Sequence, residues 1–473
     1  MTAAATDAKA APQILHFRRV LGFWDLAFYG LVAVTPSAPA TVYGLAEARS
    51  GGFAVVTILS AMVAMVLTAI SYGRMAALYP SAGSAYSYVS RGIHPYLGFF
   101  AGWAMLLDYM LIPLFCVIYG TLALQRAAPG LPFAAGALLF AGGITALNLR
   151  GIRSTARANE LLLVVMFAIL LLFIGLAIRY VALRQGLSGL FSIRPFYRPG
   201  AFHVGAIASA TSFAALTYLG FDSVTTMAED VKNPRRNILL AAVSVCLFTG
   251  LFGGLLVYLG QLVWPAYRTF DNVDTAFIDV TGRVGGLFLL KATALLLVIA
   301  NIGAGLTSQV GAARLLFGMG RENVIPARYF ARLHPRRNTP DINIALLGVI
   351  AFFGAQAISY ELAAELLNFG AFLGFMGVNA AVVWQFWVRH PEAEQRGDGR
   401  TQRRNILSDL ILPVLGFLFC AVIWIGLGHP AKVAGFLWLS VGLLVVGAHT
   451  QWFRQPIAMS DPALYEQAGD PVL

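Results

Sequence analysis

Residues 161–178 read LLLVVMFAILLLFIGLAI, eighteen uncharged apolar positions in a row. A stretch of that length matches the hydrocarbon core of a bilayer and is too long and too uniform for a buried helix of a soluble domain. Similar stretches recur to the end of the chain. At roughly 20 residues per crossing they make about twelve membrane spans, centred near Val34, Val63, Met110, Leu139, Ala168, Leu216, Thr249, Val298, Gly348, Leu373, Phe417 and Leu443. Composition agrees: only 12% of residues are charged and the mean hydropathy is +0.73, whereas soluble domains carry about 25% charged residues. In hydrocarbon only helices or closed barrels satisfy their backbones, and spans of this length are helical. The expected fold class is an all-α integral membrane protein.

The excess of positive charge, formally +11, follows the loops. With an even number of spans, 23 Lys and Arg fall on the side of the amino terminus and 10 on the other. The positive-inside rule then puts both termini in the cytoplasm, in a multi-pass cytoplasmic-membrane protein. Basic residues are not interleaved with aromatic ones, which argues against nucleic acid as a partner. Residues 1–12 lack an apolar core and do not read as a signal peptide. Cys116, Cys246 and Cys420 all lie inside apolar spans and read as packed thiols. The polar stretches divide the chain into a tail over 1–17 and a ten-span core over 18–388. After them come a loop over 389–405, two further spans over 406–453 and a tail over 454–473.

Two spans are interrupted at their centres. The first reads Leu31-Val-Ala-Val-Thr-Pro-Ser-Ala-Pro-Ala-Thr41. Pro36 and Pro39 have no amide to donate, and each clashes with a regular helix. The sixth reads Phe213-Ala-Ala-Leu-Thr-Tyr-Leu-Gly-Phe-Asp222, with Gly220 and a charged Asp222 at its middle. A broken span is tolerated only where it lines a protein cavity or a water path. Two breaks at matching places in two halves point to a transport site. The halves, about 18–180 and 203–388, are then five-span repeats of opposite topology.

Free amides at one end of a broken helix suit a carboxylate, and free carbonyls at the other suit an ammonium or a small cation. Val34, Thr35, Pro36, Ser37 and Ala38 line the first break; Tyr218, Gly220, Phe221 and Asp222 line the second. Asp222 either caps the following half-helix or meets the substrate directly. Asp108 lies deep in the third span, in Trp103-Ala-Met-Leu-Leu-Asp-Tyr109. An intramembrane acid is by default functional, here for proton coupling or for holding an ammonium group. Glu160, beside Arg153 and Arg157, reads as an interfacial ion pair. Thr307 and Ser308 in the eighth span offer two hydroxyls to a sodium ion, or bond back to their own helix. Glycine pairs such as Gly370 and Gly374 permit close helix approach. No phosphate loop or nucleophile elbow is present, which argues against an enzyme or an ATP-driven pump. No firm metal site is expected.

Three loop motifs resemble those of amino acid–polyamine–organocation permeases. They are Tyr79-Pro-Ser-Ala-Gly-Ser-Ala-Tyr-Ser-Tyr88; Gly220-Phe-Asp-Ser-Val-Thr-Thr-Met-Ala-Glu-Asp-Val-Lys-Asn-Pro-Arg235; and Arg314-Leu-Leu-Phe-Gly-Met-Gly-Arg-Glu-Asn-Val-Ile-Pro326, followed by His334-Pro335. Gly102 to Tyr109 and Leu367 to Phe372 are similar to the putrescine-importer branch. The resemblance implies a leucine-transporter-like fold with inverted repeats and alternating access. It implies import of an amino acid or a polyamine, coupled to H⁺, with substrate contacts at Thr35 through Ala38 and Tyr218 through Asp222. The acidic position of the third span in such permeases matches Asp108. The first break lacks the glycine-rich pattern usual in amino acid permeases, and Thr307-Ser308 resembles a sodium site, so Na⁺ is the alternative coupling ion. A sensor of the same fold is the alternative function. The partners expected are the small-molecule substrate and membrane lipids, with no oligomeric state specified.

Overall fold

A computed structural model of the protein describes residues 20–79, 84–150, 156–321, 325–334, 339–389, 405–452 and 454, without the side chains of 156–160, 229 and 449. Both terminal tails, Pro80 to Gly83 of the first motif, Glu322 to Val324 of the third, Pro335, the Glu160 ion pair and residues 390–404 of the loop lie outside the described residues.

Twelve apolar segments follow in chain order. The first is split into α1a (Phe23–Val34) and α1b (Ala38–Ser50), bent by 47°. Then come α2 (Ala54–Leu78), α3 (Pro95–Ala127), α4 (Phe133–Leu149) and α5 (Ala156–Gln185). The sixth is split into α6a (Val204–Ala214), a 3₁₀ turn over Ala215–Tyr218 and the single turn α6b (Ser223–Thr226). The rest are α7 (Pro234–Val263), α8 (Ala276–Arg321, two helical stretches meeting at a kink at Gly286), α9 (Asp341–Ala357), α10 (Tyr360–Val383), α11 (Leu412–Ile425) and α12 (His429–His449). Most are long enough to cross a membrane unaided. At 17 residues each, α4 and α9 are at the lower limit, and α11 reaches 19 residues only with the π-helical turn over Leu407–Ile411 that leads into it. Every expected span centre falls within one of these twelve segments. No strand occurs among the described residues beyond one isolated bridge. The three cysteines are buried and unpaired.

The face of the molecule that bears Leu21 is called proximal below, and the opposite face distal. On the proximal face the two broken helices are tied together. Val20 and Leu21 donate their amides to the Asp230 carbonyl at 2.8 and 3.0 Å, and Lys232 donates back to Leu21 at 2.8 Å. Nearby, Arg74 at the end of α2 pairs at 2.5 Å with Asp409, whose side chain is fully buried just before α11. Asp409 also accepts from the Asn405 amide and the Ser408 hydroxyl.

Polar side chains stitch the bundle where hydrocarbon offers no water. Asn379 of α10 accepts from Ser71 at 2.6 Å and donates to Thr68 at 3.1 Å, joining α10 to α2. Asn148 of α4 and Gln309 of α8 bond at 2.7 Å, and Gln309 reaches the Ile344 carbonyl of α9. Trp103 and Trp438 stack at 4.8 Å, and each indole donates to the other's carbonyl, which docks α12 on α3. Gly370 lies against the Ala104 carbonyl, so α10 and α3 touch backbone to backbone one turn from Asp108.

Removing one partner of a buried pair strands the other, at about 3–5 kcal/mol, whereas an apolar replacement of both is close to neutral. Asp409→Ala is therefore expected to lower the melting temperature of the detergent-solubilised protein by several degrees, and the double change Arg74→Met with Asp409→Leu to restore most of it.

Candidate functional site

The first break is a compact turn. Thr35 adopts a φ of +63°, a conformation costly for a β-branched residue. It is held by three bonds: its amide to the Leu31 carbonyl at 3.0 Å, its hydroxyl to Val32 at 3.4 Å, and its carbonyl to the Ala38 amide at 2.8 Å. Of the amides at the start of α1b two are thus already used, while that of Ser37 makes no hydrogen bond among the described residues. Ala38 donates to Thr35, Ala40 donates to the Ser37 carbonyl at 3.0 Å, and Pro39 has none to give. The carbonyl side is different. Pro36 supplies no amide to Val32, and the Ala33 carbonyl faces the second break. Ser37 and Pro36 are buried and Thr35 half-buried.

Gly220 makes the meeting of the breaks possible. Its φ is +104°, and a Cβ there would sit 2.9 Å from the Ala33 carbonyl oxygen. Both the conformation and the space exclude a side chain. The carbonyls freed where α6a ends are taken up from α10: Asn368 donates to Ser212 at 2.7 Å. This is the repair by a neighbouring helix that a broken span requires.

The candidate residues separate into struts and ligands. Tyr218 is fully buried and donates its hydroxyl to the Ile58 carbonyl at 2.9 Å. Phe221 is also fully buried, in an edge-packed cluster with Tyr72 at 5.5 Å and Phe375 at 5.2 Å. Both residues shape the wall. Asp222 occupies the position before α6b but makes no side-chain cap with it. Its carboxylate lies against the Gly220 amide and its own, and Oδ2 is buried with no hydrogen-bond partner among the described residues. Asp108 is in the same state, with Oδ1 buried and unpartnered. The two carboxyls are close enough to act on one another electrostatically. Neither forms an ion pair with any Lys, Arg or His among the described residues.

Four tyrosines that sequence reasoning did not assign to the site lie within electrostatic reach of Asp222: Tyr29, Tyr72, Tyr88 and Tyr109. The Tyr72 hydroxyl is buried without a partner among the described residues. Tyr109 follows Asp108 directly, a signal that was available; Tyr72 and Tyr29 sit in ordinary apolar runs and gave none.

Access to the site differs between the faces. Tyr29 and Ala33 are exposed one turn apart on α1a, on the proximal side of the breaks. On the distal side an aromatic plug closes the way. Tyr360 lies 5.2 Å from Phe115, 5.2 Å from Tyr119 and 5.7 Å from Phe213, and donates to the Thr41 carbonyl at 2.8 Å. Above it Arg49 of α1b pairs with Glu361 and, at 2.8 Å, with Glu365 of α10.

Thr307 and Ser308 stand apart from this cluster in their bonding. Thr307 is exposed and donates to Gly303 and Ala304, and Ser308 donates to Gly305, all carbonyls of their own helix. No group of three His, Cys, Asp or Glu able to hold a metal occurs among the described residues.

The amino acid permease family model matches residues 40–444. The chain is 29% identical over 449 residues to the low-affinity putrescine importer PlaP of Escherichia coli (strain K12), covering 94% of this chain and 96% of that one. It is 28% identical over 451 residues to the methylthioribose transporter of Bacillus subtilis (strain 168), covering 90% and 92%. It is 24% identical over 453 residues to the branched-chain amino acid permease BcaP of the same organism, with the same coverage.

The meeting of the two breaks generates a direct expectation. Gly220→Ala should reduce transport at least tenfold while the protein still reaches the membrane. The added methyl meets the Ala33 carbonyl, and the positive φ adds about 1–3 kcal/mol of strain. Uptake normalised to the amount of membrane-inserted protein measures it.

Proposed function

The chain belongs to the amino acid permease family, and from that premise we propose that it imports a small aliphatic amine, best a diamine, across the cytoplasmic membrane by alternating access. One observation carries this reading: Asp108 and Asp222 are buried near each other, each with an unpartnered oxygen and no neutralising cation among the described residues. Two such carboxyls are costly unless a positive ligand or protons balance them. The complementary observation concerns the other class of substrate. A free amino acid needs several helix amides for its α-carboxylate, and the first break leaves only that of Ser37: those of Ala38 and Ala40 are spent on the Thr35 and Ser37 carbonyls, and Pro36 and Pro39 have none.

In this mechanism one ammonium group lies at Asp222 and the open carbonyls of the first break. The alkyl chain runs along Phe221 and its aromatic neighbours, and the second ammonium reaches Asp108. Asp108 is also the proposed proton-exchanging group, which makes H⁺ the coupling ion. Back-bonding of Thr307 and Ser308 to their own helix favours a structural role over a sodium site. The loop charges support both termini on the cytoplasmic side, which makes the proximal face cytoplasmic. The closed distal plug and the exposed face of α1a then correspond to an inward-facing state. The ten-span core over 18–388, with its two inverted halves, is the proposed transport unit, and spans eleven and twelve are accessory to it. Putrescine import by the Escherichia coli relative supports the choice of a diamine.

Uptake into proteoliposomes tests the proposal, with diamines, monoamines and amino acids of matched length, under imposed proton or sodium gradients. The diamine is expected to be taken up best and to respond to the proton gradient. Preference for ligands bearing an α-carboxylate would contradict the substrate, and binding without any uptake would favour a sensor. Asp108→Asn should abolish accumulation driven by the proton gradient yet permit counterflow exchange at raised concentration. Unchanged accumulation in that variant removes Asp108 from the coupling role.

A further inference from the structure

The distal plug holds more negative charge than it neutralises. Arg49 pairs with both Glu361 and Glu365. Glu365 is buried and also accepts the Gly428 amide at 3.1 Å, so it is fixed from two sides. Glu361 is the loose partner, with 43% of its side chain exposed. A third carboxylate, Asp274, lies in the loop between α7 and α8, half-buried and with no ion-pair partner among the described residues. That loop rests directly on α1b, because the Val273 carbonyl occupies the space where a side chain at Gly44 would go.

Asp274 lies within electrostatic reach of this same plug. Its charge is felt at the hydroxyls of Tyr119 and Tyr360, and Glu361 acts on it in turn. Burial and the Glu361 carboxylate push the Asp274 carboxyl up from its ordinary range, the sign of an anion without its cation. Other guanidinium groups of the distal side are already engaged: Arg198 donates to the Gly51 carbonyl at 2.6 Å and to Gly52, and Arg126 pairs with Asp279. Two hydroxyls at this place are buried and unpartnered among the described residues, Tyr119 Oη and Thr275 Oγ1. Tyr360, by contrast, has spent its hydroxyl on Thr41. A carboxylate without a cation, a hydroxyl without a partner and aromatic faces around them form a receptor for a primary ammonium group, which offers three donors and a positive charge.

We propose that Asp274, Glu361 and the Tyr119 hydroxyl form a second, outer docking point for the ammonium end of the incoming amine, and that the docked amine competes with Arg49 for Glu361. Displacing Arg49 from its exposed partner loosens the tie between α1b and α10, which is the tie that closes the distal face. The substrate's own charge thereby helps to open the way to the inner site. This rests on the amine reading of the central site.

The test uses the full chain and 1,4-diaminobutane as the probe. Equilibrium binding to the purified protein reports the central site, and initial rates of proteoliposome uptake report entry. Asp274→Asn and, separately, Tyr119→Phe are expected to leave equilibrium binding within twofold of wild type. Each should raise the KM for uptake about fivefold with little change in the maximal rate, the scale of one partly exposed ammonium contact. Asp274→Glu should recover most of the loss. Asp222→Asn, the central-site control, should lose binding itself. Unchanged KM in Asp274→Asn and Tyr119→Phe overturns the outer docking point while leaving the amine reading standing. Equal loss of binding and uptake in Asp274→Asn, not recovered by Asp274→Glu, assigns the residue to the fold and overturns the proposal as well. Wild-type protein that neither binds nor takes up the diamine overturns the amine reading, and the docking point with it.

Discussion

Where α1a ends and α6b begins, two backbones touch with no side chain between them. The Gly220 Cα lies against the Ala33 carbonyl, and most of the site's chemistry follows from that contact. Inside hydrocarbon each orphaned backbone group costs several kcal/mol, so a break survives only when its groups are reassigned. Here Thr35 and Ser37 take the amides of α1b, Asn368 takes a carbonyl of α6a, and Tyr360 takes the Thr41 carbonyl. What is left over is mostly negative: the carbonyl oxygen of Ala33, and the carboxyls of Asp108 and Asp222. A site whose unspent groups are acceptors recognises donors and cations.

That accounting separates this chain from what the family name alone conveys. The matched family is described by amino acids, and the similar proteins include importers of putrescine and transporters of methylthioribose and branched-chain amino acids. A shared fold leaves the ligand open. The discriminating features are local: Pro39 deprives the half-helix of an amide, and the positive φ of Thr35 turns its carbonyl onto the Ala38 amide. The proline-rich break therefore matters less as a kink than as a consumer of hydrogen-bond donors.

Much of the architecture was legible in the sequence because hydrocarbon imposes a single rule on every span. Uninterrupted apolar length located the twelve segments, and Pro36, Pro39 and Gly220 located the breaks. The roles of individual side chains were less legible. Tyr218 and Phe221 flank Gly220 in sequence, yet their packing against Ile58, Tyr72 and Phe375 turns both into wall residues. Tyr72 and Tyr29 join the site through tertiary placement alone, since each sits in a run whose periodicity says only that it is helical, whereas Tyr109 is marked by its neighbour Asp108. The outer carboxylates were hidden for a related reason. Asp274, Glu361 and Arg49 lie in loops or at helix ends far apart in sequence, where charged residues ordinarily meet water.

The central claim is that the two buried carboxyls, and not the amides of the first break, hold the substrate. An experimental structure of the protein with bound 1,4-diaminobutane tests it most directly. The account predicts one ligand nitrogen within hydrogen-bonding distance of Asp222 and the other within reach of Asp108, with Tyr72 or Tyr109 alongside. A ligand seated away from both carboxyls, or an amino acid bound in the same place with its carboxylate on the α1b amides, would contradict it.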